Sequence, residues 1–328
     1  MVNHTRRGIL AGMAALPFAT GKLAFAADAY PSRPITIVVP WPGGDGTDII
    51  SRVLANEMQK DLKVPVLVKN VTGAAGLVGA QSMSNSAPDG YTIGMMSSGH
   101  ITHQTLYKRW ELLKATEPIA NVATASFAYM VHPGSPYKTV QDLMRAIREK
   151  PGQITMATGG LGSPAHMCWE VFNSGMGGDL KVNHVPYKSG LESAQAVMAN
   201  QVDFASSYIG SAFPIVHQKQ ARALAITSNA RLKVLPEVPT IAETVLPKFE
   251  YLTLLFYGAP RGTPASIVQS LYTAINKAAR SKDMQLQLDT LAHQLDISPS
   301  PKEFAAQLQK VLAAETRLIQ ERGISAGT

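Results

Sequence analysis

Ile35-Thr36-Ile37-Val38-Val39-Pro40-Trp41-Pro42-Gly43-Gly44-Asp45-Gly46-Thr47-Asp48 is the stretch on which the reading of this chain turns. Its first five residues are all β-branched, which suits a short strand, and Pro40 and Pro42 stop that strand because proline offers no ladder donor. Residues 48–61 then place Ile49, Val53 and Leu54 on one face of a helix. Between strand and helix lies a loop with three glycines. Glycine lets the backbone approach a guest closely, and a helix start leaves unpaired amides carrying partial positive charge. A carboxylate or phosphate oxygen is the natural guest, at the carboxyl end of the strand where open α/β sheets bind ligands. The same residues also fit a glycine-rich turn in which Asp48 merely caps the helix.

Working outward, strand-like and helix-like segments alternate. Residues 64–70 read as a strand, 74–86 as a helix of small residues and 91–96 as a third strand. After a turn at Pro133-Gly134, helices at 139–150, 164–174 and 191–200 alternate with strands at 154–158, 181–186, 202–206 and 223–227. A strand at 254–258 precedes long amphipathic helices at 264–281 and 301–322, expected to pack back on the first unit. The alternation predicts an α/β fold of parallel sheets covered by helices. Two such units in series predict two lobes with a ligand cleft at the hinge. Residues 27–126 and 257–328 are assigned to lobe 1 and 127–256 to lobe 2, with crossings near 123–131 and 252–258.

The second unit carries its own glycine loop, Thr158-Gly159-Gly160-Leu161-Gly162-Ser163-Pro164, again joining a strand to a helix. One such loop says little; one per lobe suggests a ligand held from both sides. Enzyme signals are weaker. Gly73-Ala74-Ala75-Gly76-Leu77-Val78-Gly79 departs from the dinucleotide fingerprint G-x-G-x-x-G, and no G-x-S-x-G elbow occurs. Ser163 and His166 offer a nucleophile–base pair, but a loop hydroxyl beside a helix-capping or cleft-lining histidine accounts for them better. His100 and His103 have the spacing of metal ligands without an H-E-x-x-H pattern or clustered acids, and read as polar residues near the groove. Trp41 is either a pocket wall or a packing residue. Cys168, the single cysteine, reads as a small buried residue.

Residues 1–26 are expected to be an export signal: Arg6 and Arg7, an apolar run over 8–19, and the small-x-small site Ala24-Phe25-Ala26. Thr5-Arg6-Arg7-Gly8 fits the twin-arginine route, and an ordinary Sec signal fits as well. Cleavage near Ala26 would place the chain in the periplasm, without a cysteine there for lipid attachment. Of 30 basic residues, Arg6, Arg7 and Lys22 leave with the signal, so 27 stand against 23 acids. That mild balance suits an anionic ligand. The scattered basic residues argue against nucleic acid. Beyond the signal no stretch of eighteen apolar residues predicts a membrane span.

The chain also resembles the substrate-binding receptors of tripartite tricarboxylate transporters, the Bug proteins. The resemblance is carried by Tyr30-Pro31-Ser32-Arg33-Pro34-Ile35, Val38-Val39-Pro40-Trp41-Pro42, Gly73-Ala74-Ala75-Gly76, Ala87-Pro88-Asp89-Gly90-Tyr91-Thr92 and His184-Val185-Pro186-Tyr187-Lys188. Further on come Gln201-Val202-Asp203, Arg222-Ala223-Leu224-Ala225, Val238-Pro239-Thr240-Ile241-Ala242-Glu243 and Tyr257-Gly258-Ala259-Pro260, so it spans nearly the whole chain after the signal. It implies a type II periplasmic-binding-protein fold, a small carboxylate ligand, two integral membrane transporter subunits as partners, and no cofactor or catalytic step. The expected ligand-binding set is Trp41, Gly44, Asp45, Gly46, Thr47, Asp48, Ser98 and His100 from the first lobe, with Thr158, Gly159, Gly160, Ser163, His166 and Ser207 from the second.

Two departures from the family pattern bear on specificity. The glycine pair of the first loop stands one position early, and Asp45 adds an acid that repels a carboxylate unless it faces away. Ser207 stands where many members carry an aspartate, so a ligand ammonium lacks its partner and a ligand without a cationic group is expected. A monomer is expected, since a closing trap needs free lobes. A sensor partner of a membrane kinase would have the same sequence features, and a periplasmic serine hydrolase is the further alternative.

Overall fold

The computed structural model describes residues 30–108 and 110–325. The export-signal reading therefore falls outside the described residues. In chain order the elements are β1 (Ile35–Val39), α1 (Gly46–Leu62), β2 (Val66–Asn70), α2 (Leu77–Ser84) after a 3₁₀ turn at Ala74–Gly76, β3 (Thr92–Ser97), α3 (Gly99–Tyr107), α4 (Leu112–Ala115), β4 (Thr116–Ala125) and β5 (Phe127–Val131). They continue as α5 (Val140–Glu149), β6 (Thr155–Thr158), α6 (Pro164–Gly175), β7 (Asn183–Pro186), α7 (Gly190–Met198), β8 (Phe204–Tyr208), α8 (Ile209–His217), β9 (Arg222–Ile226) and α9 (Ile241–Thr244). The C-terminal part comprises β10 (Thr253–Pro260), α10 (Ala265–Ala279), α11 (Lys282–Thr290), β11 (His293–Leu295) and α12 (Pro301–Glu321).

The strands form two sheets, β11-β4-β10-β3-β1-β2 and β7-β6-β8-β5-β9, giving a two-lobed α/β architecture. In each, a parallel trio (β2-β1-β3 and β7-β6-β8) adjoins antiparallel strands. The chain passes from one sheet to the other at Ser126: Ala125 pairs with Thr253 and His293 of the first sheet, while Phe127 pairs with Tyr208 of the second. β10 joins the first sheet from Thr253 onward, four residues before the 257 assigned from sequence.

Each sheet is sealed by helices with an apolar face. Ile50, Leu54 and Met58 of α1 pack with Leu271 and Ile275 of α10 over Ile35 and Ile37 of β1, all buried. Phe304 and Leu308 of α12 cover the other face with Met96 and Phe256. In the second lobe, Tyr129, Trp169, Phe172 and Phe204 form a fully buried aromatic cluster with centroids 5.4–6.4 Å apart. Cys168 lies within this core, where burial pushes its thiol up to about 12 and keeps it protonated. Among the described residues no helix is long and apolar enough to cross a membrane.

Candidate functional site

The helix after β1 begins at Gly46, and its cap is Asp45 rather than Asp48. Asp45 Oδ1 accepts from the Thr47 amide at 2.9 Å and from Thr47 Oγ1 at 2.7 Å, so this oxygen is turned into the helix start. Asp48 lies beneath the loop instead. Its carboxylate accepts from the Gly44 amide, Asn70 Nδ2 and Arg52 Nε, each at 2.9 Å. Burial pushes this carboxyl up, but the bonds from Arg52, Gly44 and Asn70 outweigh it and hold it below its ordinary value. Asp48 therefore shapes the loop, bending it through Gly44, whose φ of +84° favours glycine. The Ile49 amide reaches the Asp45 carbonyl. The amides of Gly46 and Asp48 are the helix-start donors left for a guest.

Trp41 stands edge-on to His100, with ring centroids 5.6 Å apart. His100 is buried; Nδ1 accepts from the Ser97 amide at 3.1 Å, and Nε2 faces the Gly76 carbonyl at 3.3 Å. Burial, and to a lesser extent His103, pulls its pKa down to about 4, so the ring is neutral and ties the start of α3 to the turn before α2. Ser98 Oγ accepts from the Leu254 amide at 3.0 Å, joining the same corner to β10. These two residues form the frame behind Trp41.

The second loop is built on histidines. Thr158 Oγ1 lies 2.7 Å from His184 Nε2, and the His184 ring stacks on His166 at 4.4 Å and 3°. His166 Nδ1 accepts from the Gly162 amide at 3.1 Å, which fixes the loop and leaves Nε2 to carry the proton, 3.9 Å from Glu170. Burial, with His184 adding, takes His166 to about 3, and burial takes His184 to about 4; both are neutral at physiological pH. Ser163 caps α6 by accepting from the His166 amide at 3.3 Å. Ser163→Ala is expected to lower stability by about 1 kcal/mol, measured by urea denaturation. With Nδ1 of His166 engaged by Gly162, that ring offers Ser163 no base, and the nucleophile pair read from sequence does not form. Gly160 takes a φ of +120° beside Gly159, which approaches the Gly190 backbone closely. Ser207 Oγ is buried and donates to the Gly190 carbonyl at 3.2 Å, inside the second lobe.

The lobes meet where α3 of the first faces the glycine loop of the second. A Cβ on Gly99 would lie 3.1 Å from the Pro164 ring, and one on Gly162 2.3 Å from Leu106 Cδ1, so glycine permits both approaches. At the carboxyl ends of the strands, α1, α2 and α3 start from the first sheet and α6, α7 and α8 from the second. Six helix starts bring partial positive charge to one region, which favours an anion held by backbone donors. His184, Tyr208 and His293 also belong to this region and are not singled out by sequence. His184 sits within a strand-like run, and nothing in its spacing reveals the stack on His166.

Comparison with known proteins identifies the family and the fold. The family model described as "Tripartite tricarboxylate transporter family receptor" matches residues 50–324. The UPF0065 protein in the tcbD–tcbE intergenic region of Pseudomonas sp. (strain P51) is 34% identical over 87% of this chain and 85% of its own length. MatC of Rhodopseudomonas palustris, solved with bound malate, superposes with a TM-score of 0.78 at 26% identity, covering 88% of this chain and 100% of its own. Another R. palustris protein, solved with adipate, gives 0.81 at 25% identity, with 90% and 99% covered. A solute-binding protein rather than an enzyme, the chain belongs to the receptor family of the tripartite tricarboxylate transporters.

Proposed function

We propose that this receptor works in the periplasm, closing on a small carboxylate that lacks a cationic group and presenting it to the two integral membrane subunits of a tripartite tricarboxylate-type transporter. The observation that carries the reading is the pair of glycine loops, one per sheet, each opening a helix toward the same space. The related proteins solved with malate and adipate each hold a dicarboxylate. The carboxylate of Asp48 is paired with Arg52, Asp45 caps α1, and Ser207 brings no acid to pair with a ligand ammonium. The closing bodies on this reading are residues 27–126 with 253–328, and 127–252, acting as a monomer after removal of residues 1–26.

A thermal-shift screen of carboxylates against their amides tests it. A ligand that binds only the folded state stabilises by about 2.7 kcal/mol at a hundredfold excess over Kd. Carboxylates should raise the melting temperature and the matched amides should not. Within the acids, hydroxy and keto acids should bind more tightly than the corresponding α-amino acids. A consistent preference for amino acids would overturn the second half of the proposal.

A further inference from the structure

Tyr208 ends β8 and precedes α8, so its backbone belongs to the second sheet. Its hydroxyl nevertheless bonds to Nε2 of His293, on β11 of the first sheet. The other bond of that imidazole fixes its tautomer. Nδ1 lies 2.6 Å from the Leu291 carbonyl, which only accepts, so Nδ1 carries the proton and Nε2 offers a lone pair. Tyr208 is the donor. Burial keeps both groups neutral, pulling His293 down to about 4 and pushing the phenol well above its ordinary value.

The ring between these two anchors stands at the edge of the ligand space. A Cβ on Gly46, the first residue of α1, would lie 4.0 Å from Tyr208 Cε1, and one on Gly190, the first residue of α7, 3.7 Å from Tyr208 Cβ. The phenol thus sits between a helix start from each lobe. Its position is held edge-on by His293 at 5.3 Å and by Phe127 at 6.2 Å, and the residue as a whole is half-buried.

We propose that Tyr208, tethered across the lobes by His293, is the wall that sets ligand length. A carboxyl group anchored at the start of α1 has its carbon skeleton stopped by the ring, which selects short-chain acids. The inference rests on the carboxylate-receptor reading above and adds to it the residue that discriminates among acids.

Isothermal titration with linear α,ω-dicarboxylates of increasing length, and with the matching monocarboxylates, tests it on wild type, Tyr208→Ala, Tyr208→Leu and Tyr208→Phe. Wild type should bind the short members. Tyr208→Ala and Tyr208→Leu should bind the longest members about tenfold more tightly than wild type does, the scale on which an apolar pocket discriminates extra methylenes. Tyr208→Phe keeps the ring and should keep the short-chain preference. Leucine retains apolar packing against Phe127, so a shortened side chain remains testable if alanine unfolds the protein. An unchanged length profile in the folded shortened variants would overturn the wall and leave the receptor reading standing. Failure of wild type to bind any member of either series would overturn both.

Discussion

Gly79→Ala is expected to lower the unfolding free energy by about 2–3 kcal/mol and to weaken ligand capture with it. The direction is diagnostic, because propensity alone predicts the opposite: alanine in a helix is favoured over glycine by about 1 kcal/mol. Packing decides. A Cβ on Gly79 of α2 would lie 2.5 Å from the Val71 carbonyl oxygen, 2.7 Å from Pro40 Cβ and 2.8 Å from Pro40 Cα. Two of those atoms are backbone and the third is in a rigid ring, so none can rotate away. The helix must shift, and Pro40 is the residue at which β1 turns into the first binding loop. Its displacement also disturbs the Gly76 carbonyl held by His100 behind Trp41. Gly43→Ala is the matched control: there a Cβ meets only side-chain atoms at 3.8–3.9 Å, so stability should change by no more than about 0.5 kcal/mol. Urea denaturation and titration calorimetry on both variants check this, and a stabilised Gly79→Ala protein would refute the packing argument.

The second large effect concerns α12. Glu315 is 7% exposed and accepts a 2.6 Å hydrogen bond from Thr102 Oγ1 of α3, with no cation paired to it among the described residues. Burial pushes its carboxyl up to about 7, only partly offset by the Thr102 bond. A carboxyl raised in the folded state favours folding while it is protonated. That contribution is fully present below the ordinary value of 4.5 and is lost as pH rises through about 7. Glu315→Gln keeps the shape and an acceptor for Thr102 but cannot ionise. The stability difference between variant and wild type should therefore be near zero at acid pH and grow to about 3 kcal/mol in favour of the variant above pH 8. The buried histidines titrate alike in both proteins and cancel in the difference. Denaturant midpoints measured across that range check it; a difference that does not vary with pH would show that Glu315 ionises without cost.

What the sequence made legible is what local chemistry determines. β1 and β6 are short runs rich in β-branched or small residues closed by proline or glycine, and each hands its chain to a glycine loop and a helix. β4 carries Pro118 and Asn121, residues that argue against an inner strand. The structure accommodates the proline at a register shift: Tyr257 pairs with Ala120 but Gly258 with Pro118, a bulge where a missing donor is tolerated. The sequence Gly99-His-Ile-Thr-His of α3 has no clear apolar stripe, because the helix is pinched between the lobes and buries polar residues at His100, Thr102 and His103. Asp45 and Asp48 lie in the same helical turn, and only the loop's path decides which one caps and which one braces. Tyr208 and His293 are 85 residues apart, and no pattern along the chain announces their contact.

The place of β10 between β3 and β4 has a consequence for how the molecule is made. All five strands of the second sheet lie within one continuous stretch, from Phe127 to Ile226. The first sheet is divided in sequence, and both neighbours of β4 come from residues after 252. Until those residues are available, β1, β2 and β3 can pair among themselves, but β3 shows an open edge and β4 has no partner. Closing so long a loop is slow relative to local pairing. The second lobe is thus the one that can mature first, and the half synthesised earliest is the half that must wait, exposed to aggregation or in a chaperone's care, for the last quarter of the chain.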